Sequence, residues 1–134
     1  MATTTASLTI SSSDISSDAL SVSVSETFYK AGTTIGLDQT TGMAKIDCGG
    51  TAFSNKNIAL ATAYSGSKNH KLFVRNPGTS TTNYVVVEVG ASNIVLGRLY
   101  GGEFLLVPWA GDQDIDISTS ATNMSVEYMI ISEA

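Results

Sequence analysis

A chain of 134 residues suits one domain, long enough to bury a core without metals or disulfides. Charged residues make up 14% of it, against the usual quarter or so, and Ser and Thr together supply roughly a quarter. A net charge of -5 with only 7 Lys and Arg argues against nucleic acid, because phosphate binding needs a basic face that releases counterions.

The exterior is therefore expected to be neutral and covered in hydroxyls. Lys and Glu lose the most rotamer entropy on ordering, so their scarcity favours stable self-association. The start, MATTTASLTI, has no basic region followed by an apolar one, and no run approaches the roughly twenty apolar residues of a membrane span. The expected setting is a cytoplasm, with no membrane partner. The single Cys48 excludes an intrachain disulfide and fits a reducing compartment, which would leave the sequon Asn123-Met124-Ser125 unused.

In chain order, residues 1–13 are a Ser/Thr-rich arm, read as a frayed terminus in preference to a strand added to a neighbouring subunit through Leu8 and Ile10. Residues 14–134 form the domain. Strict alternation over Leu20-Ser21-Val22-Ser23-Val24-Ser25 predicts a half-buried strand, and the same period recurs at 8–10, 114–118 and 125–130. Runs that are apolar on both faces, at 71–75, 84–89, 94–96 and 104–107, predict central strands or strands whose outer face meets a partner. Residues 53–64 fit a strand slightly better than a helix capped by Ser54. Asn76 to Asn83, with Pro77 and Gly78, reads as a long hairpin loop pairing the strands on either side. Frequent turn signals between short strands predict an all-β, antiparallel β-sandwich, jelly-roll or Ig-like, of about 8–10 strands.

Reactive constellations are scarce. His70 sits in the polar stretch 65–71 with no Gly-x-Ser-x-Gly elbow, so it reads as a solvated loop histidine, not a catalytic base. Cys48 reads as a small buried hydrophobe, and one Cys with one His cannot build a zinc set. Asp112-Gln113-Asp114-Ile115-Asp116 lacks the glycine and distal glutamate of a calcium loop and reads as a solvated strand edge, with a weak cation between subunits as the minor option. Carboxylate pairs for glycoside hydrolysis, such as Glu88 with Glu103, can be imagined, but nothing in the sequence fixes their separation. No catalytic residue, metal or cofactor is expected. Lys68, Lys71 and Arg75 form a basic cluster and Asp112, Asp114 and Asp116 an acidic one; both read as solvated patches before complementary subunit contacts. With Leu8 and Ile10 these six are the candidate interface residues. The lone Trp109, after Pro108, reads as a core anchor between sheets.

Three stretches carry a resemblance: Phe28-Tyr29-Lys30-Ala31-Gly32-Thr33-Thr34 with Thr41-Gly42; Lys71-Leu72-Phe73-Val74-Arg75-Asn76; and Leu96 to Phe104 with Val107-Pro108-Trp109. Over roughly residues 26–131 the chain resembles small virion structural proteins of tailed phages, especially marine cyanophages. These are packing and turn residues, not catalytic signatures. The resemblance implies a sandwich present in many copies without enzyme activity. Its expected role is capsid decoration or cement on the virion surface, with copies of itself, a closed trimer being one form, and a major capsid protein as partners. A tail-fibre, tail-tip or glycan-binding receptor module is the alternative.

Overall fold

The computed structural model describes residues 3–15 and 18–134; Met1 and Ala2, at the head of the expected arm, and Ser16 and Ser17 lie outside them. Eleven strands are present among the described residues: β1 (Thr4–Ser12), β2 (Leu20–Phe28), β3 (Gln39–Thr40), β4 (Ala44–Asp47), β5 (Lys56–Ala59), β6 (His70–Arg75), β7 (Tyr84–Val89), β8 (Ile94–Tyr100), β9 (Phe104–Trp109), β10 (Ile115–Thr119) and β11 (Ser125–Ser132). The fold is an all-β sandwich of antiparallel sheets. The segment 53–64 holds β5 followed by a single 3-10 turn, Ala61–Ala63, and no α-helix.

One sheet runs β3-β11-β6-β9, and β4 pairs with the other half of the β11 edge that β3 occupies; the second runs β5-β10-β7-β8. Taking β3 and β4 as one interrupted edge strand, each sheet has four positions, and the chain crosses between sheets at every connection from β4 to β11 except β7–β8. That strand order is a jelly roll. The β7–β8 hairpin turns at Gly90 and Asn93, both at positive φ.

The strand predicted to pair with β7 does not: β6 and β7 lie in opposite sheets, so residues 76–83 are a crossover and not a hairpin loop. Both flanking runs are apolar enough to be central, and both are, β6 between β11 and β9 and β7 between β10 and β8. Asn76 holds the crossing. It is 2% exposed, its side-chain amide donates to the Leu99 carbonyl, and its Oδ1 accepts from the Gly78 amide. Its own amide donates to the Glu103 carbonyl and its carbonyl accepts from Gly102, so the two crossovers at this end are tied together. A buried polar side chain is tolerated where its groups find partners in this way.

Alternation along each strand fills the space between sheets. Leu72 and Val74 from one sheet meet Val85, Val87, Ile115 and Ile117 from the other in a single cluster that also holds Trp109, Val126 and Ile130. Full burial of each aliphatic side chain contributes on the order of 1.5–3 kcal/mol. Trp109 is the expected anchor, packed edge-on to Tyr64 and donating its indole N–H to the Gln113 carbonyl at 2.9 Å.

The arm is ordered differently from expectation. β1 pairs with β2 of the same chain over its whole length, Thr4 opposite Phe28 through Ser12 opposite Leu20, and forms a separate two-stranded ribbon. Residues 4–12 are therefore neither a frayed terminus nor a lone strand awaiting a neighbour. The ribbon's strands pack chiefly on each other, and at its root Phe28 lies beneath the Lys71 ammonium of the sandwich.

Candidate interaction surfaces

The ribbon register sorts its side chains cleanly. Leu8 lies opposite Val24 and Ile10 opposite Val22, so with Ala6 and Leu20 they form one aliphatic face, which Glu26 borders at the root end. The other face is hydroxyl: Ser7 and Ser25 hydrogen-bond at 2.9 Å, Thr5 and Thr27 at 3.3 Å. The aliphatic face is not covered. Leu8 is 44% exposed, Ile10 47%, Val22 40% and Val24 46%, so the strand predicted as half-buried has no core beneath it. Alternation reports that a face is apolar; it does not say what lies against it. Between Thr4 and Phe28 the only charged residues are Asp14, Asp18 and Glu26.

A second apolar surface lies on the outside of the β3-β11-β6-β9 sheet. Leu72 and Val74 point inward, so Lys71, Phe73 and Arg75 point outward from β6. Phe73 stands between Leu106 of β9 and Met129 of β11, and its ring stacks with that of Phe104 at 6.0 Å. Phe104 is 55% exposed and Leu106 42%. Sequence reasoning did not single out this patch. Its signal was there in the two runs, 71–75 and 104–107, that are apolar on both faces.

The basic residues border this patch. Arg75 lies opposite Phe104 and Glu127, and its guanidinium is 3.7 Å from the Glu127 carboxylate. Lys45, opposite Glu127 on β4, adds a further positive charge on that border. Lys71 sits at the other end, hydrogen-bonded to the Asn69 side chain and 5.4 Å above the Phe28 ring at the ribbon root; burial pushes its ammonium pKa down. Lys68 belongs to the loop before β6, its amide donating to the Ser65 carbonyl at 3.1 Å.

Of the acidic residues, Asp116 lies on β10 of the opposite sheet, Asp114 just before it, and Asp112 in the preceding loop, where it packs against Gly66 in the loop that carries Lys68. Asp116 accepts from the Asn57 side chain at 2.9 Å and Asp114 from the Ala61 amide at 2.7 Å, while Asp112 is exposed in the loop after Trp109. The solvated-edge reading needs correcting, because β10 is interior to its sheet, between β5 and β7. Two of the three carboxylates instead fasten β5 and the turn after it. Among the described residues no three His, Cys, Asp or Glu side chains gather to hold a metal ion.

His70 also departs from expectation. It is 1% exposed, the first residue of β6, with Nε2 3.0 Å from the Ser65 carbonyl and its ring packed on Tyr64 and Trp109. The reason is parity: His70 continues the inward series of Leu72 and Val74, a pattern visible in the sequence. Cys48 is buried in the core, as its residue type suggested, and burial raises its thiol pKa. Glu103 spends its carboxylate on the Tyr100 amide at 2.8 Å, capping the β8–β9 turn.

Compared with known protein families, curated proteins and solved structures, the chain matches none. Among the described residues no helix is long and apolar enough to cross a membrane.

Proposed function

We propose that this protein is a non-enzymatic structural subunit of a tailed-phage virion that acts by packing, as a capsid decoration or cement protein. The observation that carries the reading is the pairing of a low-charge jelly roll with two uncovered apolar faces, one on the ribbon and one on the sheet around Phe73. Patches of this kind mark contact surfaces. The phage assignment rests on the resemblance of residues 26–131 to virion structural proteins. A binder that prefers the assembled shell stabilises it by linkage. Virions with the protein should rupture at a higher temperature than virions lacking it, and density should lie on the shell. Equal rupture temperatures, or protein found only on the tail, would defeat the reading.

One feature favours a second reading, a tail or glycan-binding module. A polar cleft beside the 76–83 crossover is lined by Asn76, Ser80, Asn83, Asn123 and Ser125 among others, amides and hydroxyls that suit sugar hydroxyls. No aromatic lines it to stack on a sugar ring. Binding to a glycan array above background, lost in Asn83→Ala, would support this reading over decoration.

A further inference from the structure

We infer that the ribbon of one copy lies with its aliphatic face on the outer face of the β3-β11-β6-β9 sheet of a second copy. The inference rests on the self-packing part of the function proposed above. A two-stranded ribbon alone in water is marginal, so nine registered pairs with one aliphatic face call for a second surface.

Three features select a second copy of this chain as that surface. The first is apolar match: Leu8, Ile10, Val22 and Val24 have no cover, and neither do Phe104 and Leu106. The second is charge. The ribbon carries Asp14 and Glu26 and no Lys or Arg, whereas the sheet patch is bordered by Lys45, Lys71 and Arg75, with Glu127 the one acid between Lys45 and Arg75. The third is reach. Nine residues at about 3.3 Å span roughly 30 Å, enough to cross four strands spaced about 4.8 Å apart. The ribbon root lies against this same sheet, where Thr3 and Thr4 border a cleft with Met129 and Ile131, so the ribbon leaves its own body on the side where a neighbour's patch would meet it.

Such a contact is heterologous: the surface given and the surface received differ. It closes into a ring when the rotation between copies allows and otherwise grows as a filament.

The test uses the full chain and light scattering after size exclusion. Wild type is expected as an oligomer that weakens with salt, because exposed charges about 10 Å apart are screened at 0.1 M. A ribbon variant, Ile10→Ser with Val22→Ser, and a sheet-face variant, Phe104→Ser with Leu106→Ser, should each be monomeric. Mixed in equal amounts they should form a heterodimer, since each keeps the half the other lost. Circular dichroism of each variant verifies the fold, and the mixing result needs both folded; should Phe104→Ser with Leu106→Ser unfold, Leu106→Lys alone replaces it. A monomeric wild type overturns the inference, as does a sheet-face variant that stays oligomeric, which would indicate ribbon-on-ribbon pairing. Folded variants that remain monomers on mixing overturn it too. Any of these results together with intact shell binding would leave the decoration reading standing.

Discussion

The side-chain amide of Asn76, at the end of β6, donates to the main-chain carbonyl of Leu99, on β8 of the opposite sheet, at 2.9 Å. One residue thus fastens the sheets where the chain passes between them. Asn76→Ala removes that bond and the one to Gly78, leaving the Leu99 carbonyl without this partner. The expected loss is about 1–3 kcal/mol in denaturant unfolding. Asn76→Asp should fare no better, because it keeps the acceptor and discards the donor.

Gly111 holds φ at 81° in the loop beside His70, and a Cβ there would lie 2.7 Å from the imidazole Cδ2 and 2.9 Å from Nε2. Gly111→Ala should therefore destabilise by about 1–3 kcal/mol through overpacking. Gly32 has a similar φ of 69° with open space around it, so Gly32→Ala should show the backbone cost alone, about 1 kcal/mol. Equal losses at the two positions would mean that the ring moves aside freely.

A latch closes near the sandwich edge and depends on acid. Asp38 is held below its ordinary pKa by its hydrogen bond with Lys30 and then by the Ala134 amide; Glu133 is held below its own by the Ala31 and Asn69 amides. Lowered carboxylate values mean stabilisation that is complete well above the ordinary range. It is lost as the pH falls from about 4 through the lowered values. The Ala31, Asn69 and Ala134 amide shifts should titrate together in that acid range. Independent titration would show that there is no shared latch.

The Cys48 thiol is buried and its pKa raised by desolvation. It should resist a disulfide reagent at pH 8 in the folded protein and react at once in denaturant. Fast reaction without denaturant would place Cys48 in a region that opens locally.

Much of the sandwich was legible because its strands announce themselves by parity. The runs 71–75, 84–89, 104–107, 114–118 and 125–130 each became a strand. What parity hides is the partner. Val22 and Val24 alternate as well as any core strand yet lie in the open, and the pairing expected across Asn76 to Asn83 failed because two central strands can belong to either sheet. β3 and β4 gave too little pattern, with two and four residues, to be seen at all. Of the candidate interface residues, Leu8 and Ile10 share the exposed ribbon face, and Lys71 and Arg75 border the apolar patch; Asp114 and Asp116 bind within the chain. The patch itself is formed by strands far apart in sequence, which is why no single stretch displayed it.

β11 is the central strand that joins β3 and β4 to β6, and it follows every other strand in the chain. The ribbon, by contrast, closes locally within residues 4–28. Local hairpins form in microseconds, whereas sheets built from distant strands are slow. On the ribosome the ribbon can zip up early, but the sheet around Phe73 cannot be completed until β11 has emerged. Under the ribbon-on-sheet contact inferred above, each newborn chain could offer its ribbon before it could receive one, a delay that would favour joining finished neighbours over tangling with half-made ones.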